Sequence, residues 1–316
     1  MSMAPGCGRF APSPTGDLHL GNLRTALLAW LAARSGGDRF VVRMEDLDRV
    51  TSHRRHEVSQ LADLGTLGLD RDGEVMRQSE RFERHSDALA TLAASGHTYP
   101  CYCTRRREIR EAAAAPHGPL GAAYPGTCRE LATARRRELE RGGRRPAVRL
   151  RGHAQAVTVD DLVAGRITRT VDDVVLQRND GVPAYQLAVV VDDGAQAITQ
   201  VLRADDLLSS TPTQVHLQRL LGLPTPTHAH VSLVLAPDGT RLAKRHGAVT
   251  LDELLSKGAT VRGIVGRLAA TSGLCGGSDL PTLDELRDTF TVDRLDRAPW
   301  RLTAAELADP SATMSG

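Results

Sequence analysis

The chain has 316 residues, 41% hydrophobic, 25% charged and only 3% aromatic, with 40 Lys/Arg against 38 Asp/Glu and a formal charge of +2. These values exclude wholesale disorder and collagen-like repeats, and no apolar run approaches the roughly 20 residues of a membrane-spanning helix. So small a net charge neither demands nor excludes a nucleic-acid partner, because a local basic stripe suffices.

The N-terminus carries Pro5, Gly6 and Arg9 where a secretory signal would need an apolar stretch, so a soluble, cytoplasmic protein is expected; a monomer without a membrane partner is the further expectation. Gly8 to Pro12 and Phe40 to Met44 read as strands, with an Ala/Leu-rich helix from Leu20 to Arg34 between them that Gly36 and Gly37 end. Strand, helix, strand at this spacing is a βαβ unit and implies a parallel sheet in an α/β fold. Helices near Arg54 to Leu67 and Glu80 to Ala94 follow. The segment Tyr99 to Arg145 breaks the pattern with cysteines, a Gly/Pro-rich loop from Pro116 to Gly126 and arginine-rich helices, and reads as an insertion.

Strand-like runs return at Ala147 to Arg151, Val171 to Gln177 and Tyr185 to Val191, the last almost continuously apolar. Thr211 to Leu221 reads as a helix opened by Thr211 and Pro212. Val231 to Leu235 reads as a strand before a turn at Pro237, Asp238 and Gly239. Past Thr250 only short helices are expected. The resulting division is 1–98 for the first half of the core, 99–183 for the insertion and an associated subdomain, 184–235 for the second half, and 236–316 for a loop and helical domain.

Three groups of residues carry chemistry. Arg9 to Asn22 reads RFAPSPTGDLHLGN, a strand, a Pro/Gly-rich loop and a helix start, which places helix N-terminal amides beside a strand end where phosphates bind. There His19 offers a donor to a phosphate oxygen, and Gly21 lets a ligand approach the backbone. Arg241 to Arg245 reads RLAKR and can clamp a polyphosphate. It holds Lys244, one of only two lysines; the other, Lys257, has no such setting. Among the five cysteines, Cys101, Cys103 and Cys128 lie close in sequence with Tyr124. Three thiolates and one oxygen would complete a tetrahedral Zn²⁺ site, with His117 the competitor of Tyr124 for the fourth position. Cys7 and Cys275 read as core residues.

The first two groups resemble the HIGH and KMSKS signatures of class I aminoacyl-tRNA synthetases. The opening string, RMEDLD from Arg43, YQLAVVVDD from Tyr185 and RADDLLSST from Arg203 resemble the glutamyl/glutaminyl branch in the right order. The cysteine and tyrosine arrangement resembles the zinc site of glutamyl-queuosine tRNA(Asp) synthetases, paralogues of glutamyl-tRNA synthetase without its anticodon-binding domain. The resemblance implies a Rossmann-type class I synthetase core with a zinc-containing insertion and a short C-terminal helical domain. It implies ATP-dependent activation of L-glutamate with Mg²⁺ on the polyphosphate, then transfer to queuosine in tRNA(Asp). Charging of a tRNA 3′ end, or a non-catalytic nucleotide- or tRNA-binding role, are the alternatives.

By the same resemblance Arg9, Ala11, Ser13, Glu45, Tyr185 and Arg203 line the glutamate site, where arginines suit carboxylates and Glu45 suits the ammonium. Pro12, His19, Gly21, Asn22, Arg241, Lys244 and Arg245 are expected at ATP, with His19 and Lys244 stabilising the transition state. The chain departs from the pattern at Arg241, Ala243 and Ala204, which replace a lysine, a serine and a glycine. The stretch after the KMSKS-like loop is short for an anticodon-binding module, since domains usually run about 50–200 residues. Arginine runs at Arg105 to Arg107, Arg135 to Arg137 and Arg141 to Arg145 could position RNA phosphates.

Overall fold

Strands β1 (Cys7–Phe10) and β2 (Arg39–Met44) are buried on both faces apart from Arg39, the pattern of a parallel sheet covered by helices. They pair in parallel across helix α1 (Leu20–Ser35). That helix is apolar around most of its circumference and buries residues from Leu20 to Ala33 between the sheet and the C-terminal helices. The chain leaves it through Gly37, whose φ of 71° favours glycine. The computed structural model describes residues 5–103, 124–242, 249–309, 311 and 314.

Helix α2 (Arg54–Thr66), strand β3 (Met76–Arg77), helix α3 (Phe82–Ala94) and strand β4 (Thr98–Cys101) complete the first part of the chain. Then come α4 (Thr133–Arg141), β5 (Ala147–Leu150), β6 (Ala156–Asp161), β7 (Gly165–Thr170) and β8 (Val175–Gln177). The second part of the core comprises α5 (Tyr185–Ala195), β9 (Gln200–Ala204), α6 (Thr211–Leu220), β10 (Thr227–Val231) and β11 (Val234–Leu235). Helices α7 (Leu251–Ser256), α8 (Val261–Ala270), α9 (Leu283–Thr289), strand β12 (Trp300–Arg301) and α10 (Ala304–Ala308) end it.

The main sheet has seven strands in the order β3-β2-β1-β9-β10-β6-β7, all parallel except the β6–β7 hairpin. Beside it, β4, β5 and β8 form a small antiparallel sheet, with Cys101 at the end of β4. From β1 the chain moves outward to β2, and from β9 it moves the opposite way to β10. The crevice outside the carboxyl ends of β1 and β9 is therefore the topological switch point, where open α/β sheets bind ligands.

Three readings are corrected. Tyr185 to Val191 is not a strand but the first two turns of α5. A short apolar run is buried whether helical or extended, and here the helix carries the chain past Asp192 and Asp193 to Ala195 before Ala197 turns it at a φ of 52°. Val231 to Leu235 is two elements: β10 ends at Val231, and β11 begins at Val234. The C-terminal part is not free of strands, because β12 pairs with β11. That part is fastened to α1 by buried Arg24, which donates to Ser272 Oγ at 2.9 Å and to the Ser232 carbonyl at 2.9 Å.

Candidate active site

Four strand ends deliver the polar residues of the crevice. Arg9 comes from β1, Arg43 and Glu45 from β2 and the residue after it, Arg203 from β9 and His230 from β10. The Pro12 carbonyl accepts the Glu45 N–H at 2.9 Å, and the Ser13 carbonyl accepts from Gln60 Nε2 at 3.1 Å. These bonds tie the loop carrying Ala11, Pro12 and Ser13 to β2 and α2.

Asp193, in the last turn of α5, gathers two arginines. Its Oδ1 lies 2.6 Å from Arg43 Nη1 and 3.4 Å from Arg9 Nε, and Arg43 Nη2 reaches Glu45 at 3.2 Å. A carboxylate at a helix C-terminus faces the negative end of the macrodipole, and the arginines offset that here. Burial would raise the Asp193 pKa, but Arg43 and Arg9 outweigh it and hold the carboxyl below its usual range. For Glu45 burial wins over the same two arginines and its pKa is raised.

Arg203 is held differently. Its Nε–H donates to His230 Nε2 at 3.0 Å, its Nη2 to Thr211 Oγ1 at 2.9 Å and Gln214 Oε1 at 2.8 Å, and its Nη1 to Tyr185 Oη at 3.3 Å. All four acceptors are neutral, although Arg203 is only 4% exposed. Of the three arginines around the crevice, Arg9 and Arg43 pair with Asp193 and Glu45, whereas Arg203 touches no carboxylate. A buried cation with no carboxylate in contact is costly, so the edge that Arg203 presents is suited to a carboxylate of a ligand.

Beside it, His19 caps α1. Its Nδ1 accepts the Gly21 N–H at 3.1 Å, while Asn22 Oδ1 accepts the N–H of His19 at 3.3 Å. An Nδ1 that accepts carries no proton, so the neutral ring donates through Nε2–H. A Cβ on Gly21 would stand 3.0 Å from His19 Cε1 and 3.2 Å from Nδ1, which only glycine avoids without moving the ring. His19, Gly21, Asn22, Ala204, Val234 and Arg241 line one cleft. A helix N-terminus, a histidine donor and an arginine can together hold a polyphosphate.

Arg241 pairs with Asp206, two residues past Ala204, so the start of the basic loop is joined to the strand end that bears Arg203. On the other side of the loop, the Val249 carbonyl accepts the Leu20 N–H at 3.1 Å. Both flanks of the loop thus lie against the cleft. Ala243, Lys244 and Arg245 lie outside the described residues.

Cys101, at the end of β4, Cys103 and Cys128 bring their Sγ atoms within 4.8 Å of one another. Tyr124 Oη lies 3.4 Å from Cys101 Sγ and 3.2 Å from Cys103 Sγ, and Cys103 Sγ is 3.7 Å from Cys128 Sγ. Tetrahedral zinc at about 2.3 Å from sulfur and about 2.0 Å from oxygen requires edges of about 3.8 Å and about 3.5 Å. The four side chains therefore fit such an ion. His117 lies outside the described residues, as does the run Arg105 to Arg107. Arg135, Arg137 and Arg141 on α4, and Arg144 and Arg145 beyond it, are exposed.

The structure brings together Arg9, Glu45, Tyr185 and Arg203 as one group and His19, Gly21, Asn22 and Arg241 as a neighbouring one. Sequence reasoning passed over Arg43, Asp193, Thr211, Gln214, His230 and Asp161. Arg43, Asp193 and Thr211 stand inside strings already singled out, whereas His230 and Asp161 carry no local motif.

The family model for tRNA synthetases class I (E and Q), catalytic domain, matches residues 7–308. A glutamyl-Q tRNA(Asp) synthetase of Nocardia farcinica is 55% identical over 97% of this chain and 96% of that protein. One from Symbiobacterium thermophilum is 48% identical over 96% of this chain and 97% of that protein. A crystal structure of a glutamate tRNA ligase from Elizabethkingia meningosepticum, in complex with its amino acid, superposes with a TM-score of 0.80 at 24% identity, covering 96% of this chain and 68% of that one. The α/β core is therefore a class I synthetase core, and the chain belongs to the glutamyl-Q tRNA(Asp) synthetases within the glutamyl and glutaminyl branch of class I.

Proposed function

We propose that this chain activates L-glutamate with ATP and transfers the glutamyl group to queuosine at the wobble position of tRNA(Asp). The carrying observation is the buried crevice where Arg203 contacts no carboxylate, beside the capped α1 N-terminus. Glutamate carries two carboxylates and one ammonium and so bears one net negative charge; glutamine bears none. Arg9 and Arg203 are assigned to carboxylate recognition, Glu45 to the ammonium and Tyr185 to orientation, with Ala11 and Ser13 lining the site.

In the first step the glutamate α-carboxylate attacks the α-phosphorus of ATP, the bond to the bridging oxygen breaks, and pyrophosphate leaves. Pro12, His19, Gly21, Asn22, Arg241, Lys244 and Arg245 are assigned to ATP, whose Mg²⁺ neutralises the polyphosphate. No protein nucleophile is needed, so acceleration comes from positioning and charge stabilisation, with His19 Nε2–H and Lys244 on the transferring phosphate. In the second step a hydroxyl of the queuosine cyclopentenediol attacks the activated carbonyl, an ester forms, and AMP leaves. Cys101, Cys103, Cys128 and Tyr124 would hold a structural Zn²⁺, which joins the end of β4 to the segment that carries Tyr124 and Cys128. The reading keeps a cytoplasmic monomer, checked by sedimentation.

The decisive test offers labelled glutamate and ATP to a 3′-truncated tRNA(Asp) that contains queuosine. Label incorporation is expected. Incorporation only into tRNA with an intact 3′ end would establish 3′ charging instead. Absence of glutamate-dependent ATP–pyrophosphate exchange would leave only a non-catalytic binding role.

A further inference from the structure

Asp161 and His230 form a fully buried pair behind the crevice. Asp161 ends β6, His230 stands in β10, and neither side chain has any exposed surface. Asp161 uses its oxygens for different tasks. Oδ1 accepts three backbone N–H groups, from Val163 at 3.0 Å, Ala164 at 2.8 Å and His230 at 3.1 Å. Oδ2 takes only the ring, lying 2.6 Å from His230 Nδ1. A carboxylate can only accept, so the ring proton sits on Nδ1 and Nε2 is left as an acceptor. That Nε2 receives the Nε–H of Arg203 at 3.0 Å, and the Thr211 hydroxyl lies 3.2 Å from it.

We propose that Asp161 and His230 are positioning residues for Arg203: Asp161 fixes the histidine tautomer, and the histidine fixes the edge that the guanidinium presents to substrate. This rests on the reading that Arg203 receives a glutamate carboxylate. Arg203 has five N–H groups. His230, Thr211 and Gln214 take the Nε–H and both Nη2 hydrogens, so only the Nη1 edge, shared with Tyr185, faces the ligand. The device holds the arginine without placing a carboxylate against it. A direct Asp–Arg203 contact would neutralise the charge that must meet the substrate; here the nearest anion on this side is one imidazole away.

Asp161→Asn tests the proposal selectively. The amide oxygen can keep the three backbone N–H groups, and the NH₂ then takes the place of Oδ2. It donates to His230 Nδ1, which forces the ring proton onto Nε2 and points it at the Arg203 Nε–H. Two donors then face each other, and Arg203 must turn away. Inverting a buried histidine by the same change disables a catalytic triad without altering its geometry.

Glutamate-dependent ATP–pyrophosphate exchange is the activity readout. In Asp161→Asn the KM for glutamate should rise about 10- to 100-fold, the worth of one hydrogen bond to a charged group, with the KM for ATP unchanged. A glutamate KM within about threefold of the parent, or equal rises for both substrates, overturns the proposal. His230→Gln keeps an acceptor and should hold the glutamate KM within about fivefold, whereas His230→Leu should resemble Asp161→Asn. Equal behaviour of the two His230 variants also overturns it.

Imidazole ¹⁵N NMR of the unaltered protein at pH 7 gives a readout that needs neither a folded variant nor activity. A neutral His230 ring protonated on Nδ1 is expected, and an Nε2–H ring or an imidazolium refutes the proposal. If the unaltered protein shows that tautomer but no glutamate-dependent exchange, the functional reading has failed and the positioning geometry stands.

Discussion

Asp193→Asn removes the charge on which two arginines converge while keeping the side-chain shape. The Asp193, Arg43 and Arg9 side chains are 8%, 0% and 5% exposed, and the contacts are 2.6 and 3.4 Å, so solvent screens them little. Breaking a buried ion pair from one side costs about 3–5 kcal/mol, because the remaining charge stays buried. Asparagine keeps one amide oxygen for an arginine N–H, which places the expected loss near the lower end, about 3 kcal/mol. With about 2.1 cal/mol/K of unfolding entropy per residue, a chain of 316 residues shifts by about 1.5 °C per kcal/mol, so the midpoint should fall by about 4–5 °C.

Thermal and urea denaturation at pH 7 measure this loss, and a cycle with Arg43→Met isolates the pair, whose coupling should be about 2 kcal/mol or more. The pH dependence carries the sign. Asp193 has a depressed pKa in the folded state, so its contribution is complete above the unfolded carboxylate range and is lost as pH falls through the folded value. The deficit of the variant should therefore shrink in acid below about pH 4. A midpoint shift under about 2 °C, or coupling below about 0.5 kcal/mol, would show that Asp193 does not hold these arginines.

Gly21→Ala should displace the His19 ring, since the new Cβ would stand 3.0 Å from Cε1; loss of the cap should remove about 1 kcal/mol of stability, and the KM for ATP should rise while that for glutamate holds. Unchanged ATP kinetics would exclude His19 from the nucleotide site. Metal analysis should find about one zinc per chain, and Tyr124→Phe should weaken retention against chelators by removing one of four donors; a metal-free protein of full stability would refute the zinc assignment. Burial, with the cation of Arg203 beside both rings, depresses His228 to about 3 and His230 to about 4. For these two groups the unfolded chain binds protons first, so by themselves they lower stability as pH falls from 6.5, by up to about 3 kcal/mol per unit between pH 6 and 4. Asp63, which burial raises to about 6, acts in the opposite sense over this window, so the histidine share is read by difference: His228→Phe should reduce the urea-derived loss by about 1.4 kcal/mol per pH unit, and an unchanged slope would contradict neutral burial of His228.

The opening βαβ unit was legible because its period changes cleanly and two glycines mark the end of α1. Residues at loop exits were legible too, since His19, Gly21 and Arg241 stand beside turn residues that announce the loops. The β6–β7 hairpin was less legible although Ala156 to Asp161 alternates buried and exposed positions, because only Val157 and Val159 are large apolar residues in that stretch. Its consequence was larger than a missed hairpin, since β6 is what brings Asp161 under β10. Reading α5 as a strand hid the division at its end. In a helix, consecutive Asp192 and Asp193 diverge by about 100°. One therefore meets Gln78, Arg81 and His85, and the other meets Arg9 and Arg43.

What no local pattern could reveal is how each buried arginine is compensated, and that distinction separates scaffold from site. Arg43 is neutralised by Asp193 and Glu45 and has no charge left for a ligand. Arg149 lies with its Cζ 3.9 Å from the Tyr124 ring centroid and donates to the Asp173 carbonyl at 2.7 Å, which braces the cysteine cluster. Arg24 shows that neutral acceptors alone do not mark a binding residue: Ser272 and Ser232 hold it, and it serves to join α1 to the C-terminal helices. Arg203 differs from Arg24 by position. It stands one residue before the end of β9 at the switch point, beside Arg9 and Tyr185, where an incoming carboxylate can meet its Nη1 edge. Neutral anchoring and a place at the strand end are needed together, because the first preserves the charge and the second gives a ligand access to it.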